Sequence, residues 1–264
     1  MTFKATSFVF DEIPGETYNL FLYGLDTSGI MSNNGSSDVS LITKKIFRRP
    51  VPYFYGVEQT PVLQFGITFF SPDEITADMA QLIQRWLFGQ RNYKKLQIVQ
   101  DDMLDVYFNC VLTEPNMVKV GGVVTGFTAT VVCDSPYAWT FEETLTKTYA
   151  TPEVSDIFYF YNLSDDVYYL FPQLDITLNG SGDTVSILNI TDNNREFLFS
   201  GLTPGEVLSV DNDLKIITSS SGLLRLPLFN KNWFRLLNGV NQLKITGNVE
   251  EVIFTYRFPK KIGG

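Results

Sequence analysis

The chain contains no histidine. That removes Ser-His-Asp and Cys-His nucleophile pairs, His-ligated zinc and non-haem iron, and the usual titration switch near neutral pH. Carboxylates, Lys, Tyr, Ser and Cys remain as candidates for chemistry. Four adjacent pairs of identical acids stand out: Asp101-Asp102, Glu142-Glu143, Asp165-Asp166 and Glu250-Glu251. A glycosidase needs two carboxylates facing each other across a sugar, about 5–9.5 Å apart. Neighbours on a strand point to opposite faces, so adjacency does not supply that geometry, and surface solubility explains the pairs. Asp211-Asn212-Asp213 opens like a calcium loop but lacks the Gly and the closing Glu at the required spacing, so it reads as a tight turn. Cys110 and Cys133 each sit in an apolar, strand-like run and read as buried free thiols. Two cysteines without a histidine do not complete a four-ligand zinc site. No Gly-rich phosphate loop and no nucleophile elbow occurs. The expectation is a protein that is not an enzyme, with no catalytic, cofactor-binding or metal residues.

The elements around these residues belong to a mainly β chain. Its 264 residues set a prior of about two domains. Charged residues are 19% and hydrophobic ones 44%, which suits a folded chain rather than a disordered one. The 22 Phe and 13 Tyr favour pleated, half-buried strands. Twenty Lys and Arg against 29 Asp and Glu leave a net charge of −9, the opposite of the basic footprint that nucleic-acid binding needs. Val120 to Cys133, the most tempting apolar stretch, is uncharged but too short and too rich in Gly and Thr for a membrane span, so it reads as a strand pair with a turn. The N-terminus lacks the basic start and apolar run of a signal peptide, so a cytoplasm-like site of synthesis is expected.

Along the chain, Phe8 to Phe10 and Tyr18 to Leu25 read as short strands, and Thr27 to Ser37 as a polar loop or hairpin tip. Lys44-Lys45-Ile46-Phe47-Arg48-Arg49-Pro50 is a basic island in an acidic protein. Two readings are open for it: a solvated edge strand guarded by charge and proline, or a contact surface for an acidic neighbour. Ser71-Pro72-Asp73-Glu74 predicts a capping box. Ile75, Met79, Leu82, Ile83, Trp86 and Leu87 then form one apolar stripe of a helix ending at Gly89. Leu104 to Leu112 alternates with period two, the mark of a half-buried strand, and another follows at Val123 to Val132. Glu142 to Val154 is polar and reads as a linker. Beyond Tyr159, short strands follow at Leu174–Leu178, Val185–Ile187, Phe197–Phe199, Val207–Ser209, Leu214–Ile216, Leu224–Leu228, Leu243–Ile245 and Val252–Phe258. That density predicts a β-sandwich or jelly roll. Trp233, Tyr168 and Tyr169 are candidate stacking platforms for a carbohydrate, with burial in the core as the plain alternative.

The order of several segments carries a resemblance. Arg49-Pro50-Val51-Pro52-Tyr53-Phe54-Tyr55-Gly56-Val57-Glu58 leads into Leu63 to Phe70, then the helix ending Arg85-Trp86-Leu87-Phe88-Gly89. Asp105-Val106-Tyr107-Phe108 and Val132-Cys133-Asp134-Ser135-Pro136-Tyr137-Ala138 come next. Gly205-Glu206-Val207-Leu208-Ser209-Val210-Asp211, Leu237-Asn238-Gly239-Val240-Asn241-Gln242-Leu243 and Ile253-Phe254-Thr255-Tyr256-Arg257 follow. The ordered set, over nearly the whole chain, resembles the distal tail protein (Dit) family of long, non-contractile-tailed phages. The resemblance implies an N-terminal β domain with one amphipathic helix at residues 1–146, which forms a ring. It also implies a galectin-like β-sandwich at 147–264, without room for an inserted carbohydrate-binding module. It implies a structural hub of the tail tip: a homohexamer between the major tail tube protein and a tail-associated lysin, tail fibre or baseplate protein. The tape measure protein is a further candidate partner. The hub would leave a channel for DNA without binding nucleic acid or membrane, and would sit in the virion after assembly in the host cytoplasm. The alternative function is a carbohydrate-binding β-sandwich module. A closed ring needs two complementary patches on each subunit, and Lys44, Lys45, Arg48, Arg49, Tyr53 and Tyr55 are the candidates for one of them.

Overall fold

The computed structural model describes residues 7–22, 39–59, 62–101, 103–150, 153–181 and 183–262, so the loop expected at Thr27 to Ser37 lies outside the described residues. The chain divides into two compact units, Met1–Thr140 with Lys260–Gly264, and Phe141–Pro259.

In the first unit an antiparallel sheet runs in the order Ile13–Pro14, Ser7–Phe10, Lys94–Val99, Val106–Val120, Val123–Cys133, Gln64–Phe70 and Phe21–Leu22. Alternation dictates its inner face: Phe8, Phe10, Phe69, Phe108, Phe127 and Val131 are fully buried in one core. Gly126 is required where it stands, because a Cβ there would meet the Phe69 carbonyl oxygen at 2.2 Å. It lets the backbones of Gln64–Phe70 and Val123–Cys133 close up over the core. Leu104 does not join the alternating run: it lies in a turn, half exposed, and the strand begins at Val106.

The helix spans Ala77–Phe88, starting later than the expected capping box. The Ser71 N–H donates to the Thr125 carbonyl and the Ile75 N–H to the Val124 carbonyl, both at 2.8 Å. These bonds tie the segment to the neighbouring strand and keep it extended. Ser71 instead closes a small turn on the Asp73 N–H, and Thr76 caps the helix by accepting from the Met79 N–H. The helix ends at Gly89 as its spacing predicts. Of the expected stripe, Ile75, Ile83, Trp86 and Leu87 are buried, while Met79 and Leu82 face outward. Trp86 anchors the helix, stacking against Phe8, packing at a tilt on Tyr18 and donating its indole N–H to the Phe10 carbonyl at 3.1 Å.

The second unit is a β-sandwich. One sheet orders Glu143–Thr148, Val249–Tyr256, Gln173–Leu178, Val207–Asp211 and Ile216–Ser219; the other orders Val154–Asn162, Gly239–Gly247, Val185–Asn189 and Arg195–Phe199. Inward residues of both sheets share one core, with Leu174, Ile187, Phe199, Leu243 and Phe254 fully buried. Two expectations are corrected here. The stretch read as a linker holds a strand, Glu143–Thr148, which pairs with Val249–Tyr256. The alternation at Leu224 to Leu228 is not a strand but a short 3-10 turn, Leu226–Leu228. Pro227 has no N–H to give a ladder, and Arg225, two residues before it, is held by Glu206. Asp211-Asn212-Asp213 is the expected tight turn: Asp211 Oδ1 accepts from the N–H groups of Asp213 and Leu214.

Candidate functional site

All six residues singled out as a contact patch fall on one ribbon. Val39–Lys44 pairs antiparallel with Tyr53–Gln59, and among the described residues no other strand joins these two. The register shifts between Ile42 and Thr43, leaving Tyr55 as the extra residue of a bulge beside Gly56. The loop between the strands turns through Arg48 at φ 67° and is closed by the Arg49 N–H donating to the Ile46 carbonyl at 3.1 Å. Every residue from Leu41 to Tyr55 is exposed, Phe47 at 87%, Leu41 at 65% and Tyr55 at 65%. A lone two-stranded hairpin is at best marginally stable in water.

The charges on the ribbon are equally open. Arg49 lies over the Tyr53 ring at 4.0 Å and Arg48 over the Phe47 ring at 5.4 Å. Among the described residues, none of Lys44, Lys45, Arg48 and Arg49 has a carboxylate partner. The structure therefore brings Lys44, Lys45, Arg48, Arg49, Tyr53 and Tyr55 together on one exposed element. It adds residues that the basic island did not single out: Leu41, Ile42, Phe47 and Phe54. Their signal in the sequence was a run of large apolar residues without period-two alternation, spread around the loop rather than along one face.

Other residues marked in the sequence have structural work. Glu206, from the Gly-Glu segment, is 3% exposed and accepts from Arg225 Nε and Nη2 at 2.7 Å each. It also accepts from the Thr203 N–H at 2.9 Å and from the Ser219 hydroxyl. Burial pushes this carboxyl up, but the bonds from Arg225, Ser219 and Thr203 outweigh it and hold it down at about 2. Asn241, from the second segment, is fully buried. Its Oδ1 accepts from Asn189 Nδ2 and the Leu237 N–H, and its Nδ2 donates to the Leu237 and Gly239 carbonyls. Gly239 beside it takes φ 84°, a conformation that favours glycine. These side chains have spent their hydrogen-bonding capacity inside the sandwich and have none to offer a ligand.

Of the three candidate stacking aromatics, Trp233 packs edge-on against Phe229, and Tyr169 lies under Arg235 with its centroid 3.8 Å from the guanidinium carbon. Arg235 is in turn paired with Asp192 at 2.7 Å. Tyr168 is widely exposed, at 69%. Glu250 and Glu251 are consecutive on a strand and Glu142 and Glu143 are exposed, while Asp102 lies outside the described residues. Cys110 and Cys133 are free and fully buried. Among the described residues no group of three or more His, Cys, Asp or Glu is placed to hold a metal, and no helix is long and apolar enough to cross a membrane.

The described residues form a two-unit, mainly β protein, and comparison with known proteins gives the class. A family model described as a phage tail protein N-terminal domain matches residues 3–135, and one described as a phage tail C-terminal domain matches residues 137–256. The chain belongs to this phage tail protein family. No curated protein matches it. Among solved structures it shares the fold of the Dit protein of phage SPP1, described as a paradigm of the hub adsorption apparatus in phages infecting Gram-positive bacteria. The TM-score is 0.69 and the identity 12%, over 96% of this chain and 98% of that one. Chains of the phage P2 baseplate in its activated conformation are also similar. With Ca the TM-score is 0.54 at 10% identity, over 91% of this chain and 90% of that one. With Sr it is 0.53 at 11% identity, over 90% of each.

Proposed function

We propose that this chain is the hub of a phage tail tip: six copies form a ring that continues the tail tube and joins it to the adsorption proteins below, leaving a channel for DNA. The observation that carries this reading is the extent of the fold match, which runs through both units and nearly the full length of SPP1 Dit. The membership of both units in a phage tail family supports it. In this reading the unit Met1–Thr140 with Lys260–Gly264 makes the ring, and Phe141–Pro259 is the β-sandwich. The chain works as a scaffold without enzymatic activity, located in the virion at the tail tip. Its neighbours are its own copies, the major tail tube protein, and a tail-associated lysin, tail fibre or baseplate protein, with the tape measure protein as a further contact.

The ribbon is the ring contact. A closed ring is a heterologous assembly, so each subunit carries two different patches that fit each other. Lys44, Lys45, Arg48 and Arg49 supply positive charge on a chain of net charge −9, and Tyr53 and Tyr55 with Phe47 and Phe54 supply apolar area. The matching patch on the next copy is acidic at its rim and apolar at its centre. The remaining negative charge suits a wall along which DNA slides without sticking. Negative-stain electron microscopy of the concentrated full chain tests this: averaged particles with sixfold symmetry and an open centre are expected, and particles without a ring at any concentration would overturn it.

A further inference from the structure

We infer that Cys110 and Cys133 are a built site for an internal disulfide, closed by a dithiol–disulfide oxidant such as oxidised glutathione. The two residues stand directly opposite each other on the antiparallel strands Val106–Val120 and Val123–Cys133. The Asp134 N–H donates to the Asn109 carbonyl at 2.9 Å, one residue outward on each strand, while the Cys133 N–H turns the other way to the Leu63 carbonyl. The cysteines are therefore a non-hydrogen-bonded pair. In such pairs the facing Cα atoms come closest, at about 4.5 Å, and the side chains leave from the same face. Disulfides usually bridge Cα atoms about 4.4–6.8 Å apart, so the backbone already has the spacing a bridge needs. Both side chains are fully buried in the same core, and the thiols are close enough that Cys110 and Asp134 add to burial in pushing Cys133 up.

The bond replaces two thiols. One protein thiolate attacks oxidised glutathione, forming a mixed disulfide and releasing one glutathione. The second thiolate then attacks the protein sulfur of that mixed disulfide and releases the second. The protein loses two hydrogens and oxidised glutathione becomes two glutathiones. Burial, with Asp134 nearby, holds the Cys110 thiol at about 12, so the folded dithiol exchanges slowly and closes while the strands open locally or form. A chain made in a reducing cytoplasm holds the dithiol, and a virion released into an oxidising medium meets the conditions that favour the bond. The bridge then pins the two strands at the centre of the N-terminal sheet.

The test is a redox titration of the full chain in mixtures of reduced and oxidised glutathione, folded in buffer and unfolded in urea, started from both the reduced and the oxidised protein. Acid quenching, alkylation and intact mass give the fraction that has lost two hydrogens. The folded protein is expected to favour the bond by about three hundredfold over the unfolded chain, because closing the loop from Cys110 to Cys133 costs the unfolded chain that much entropy. The oxidised protein is also expected to unfold at higher urea than the reduced one, a gain that Cys133→Ser removes. A folded protein that favours the bond no more than the unfolded chain would overturn the inference. So would glutathione adducts dominating over loss of two hydrogens, or an oxidised form that unfolds at lower urea.

Discussion

Arg225 and Arg49 carry the same guanidinium into opposite settings. Arg225 is buried in the sandwich and makes a two-pronged bond to Glu206 while also reaching Thr203 and Ser221. Arg49 lies on the exposed ribbon with only the Tyr53 ring beneath it. A buried ion pair braced by further hydrogen bonds serves the fold of its own chain. An exposed cation on an unpaired, aromatic-rich hairpin contributes nothing of that kind, and its chemistry is available to another molecule. The contrast separates residues that make the subunit from residues that, in the proposed ring, join subunits, and it predicts that the two groups fail in different assays.

The largest expected effect is on the buried side. Arg225→Ala leaves the Glu206 carboxylate buried and uncompensated, so urea unfolding should show the sandwich destabilised by about 3–5 kcal/mol. Replacing both partners with apolar residues of similar volume should restore most of that loss, a recovery that no ribbon variant will show. Asn241→Ala comes next. It strips partners from Asn189, the Leu237 N–H and two carbonyls, and should cost about 2–3 kcal/mol in the same assay. A pH series gives a third effect. Glu206 sits at about 2 in the fold against an ordinary 4.5, so its stabilisation is complete above about pH 4.5 and is lost as pH falls toward 2. Glu206→Gln should flatten that part of the stability–pH curve. The smallest effect on stability belongs to the ribbon: replacing Lys44, Lys45, Arg48 and Arg49 with Ser should leave the unfolding midpoint of the isolated subunit unchanged while weakening self-association.

Much of this contrast was legible in the sequence, because local periodicity reports what each element buries. The alternation from Val106 to Leu112 and the close-set strands after Tyr159 gave the sheets, and the stripe through Ile83, Trp86 and Leu87 gave the helix. The helix start was not legible, since the choice between Ser71 and Thr76 is made by hydrogen bonds from a strand about fifty residues away. The strand at Glu143–Thr148 hid in polar composition, because it flanks a single neighbour and presents Thr and Glu to solvent. The ribbon showed in the sequence as a basic island, yet its detachment from every other described strand is a fact of topology that no local pattern encodes. The pairing of Glu206 with Arg225 was hidden for the same reason: a buried ion pair looks like two solvated charges until the fold encloses it.

The most direct measurement is the mass of the full chain in solution, by light scattering after size exclusion over a range of concentrations, for the wild type and the fourfold Ser variant. A hexameric hub assembled through the ribbon predicts a wild-type species near 179 kDa, six times the 29.9 kDa subunit, and a folded variant that runs as the subunit. A wild-type protein that stays at 29.9 kDa at every concentration, or a variant that still assembles to the wild-type mass, would contradict it.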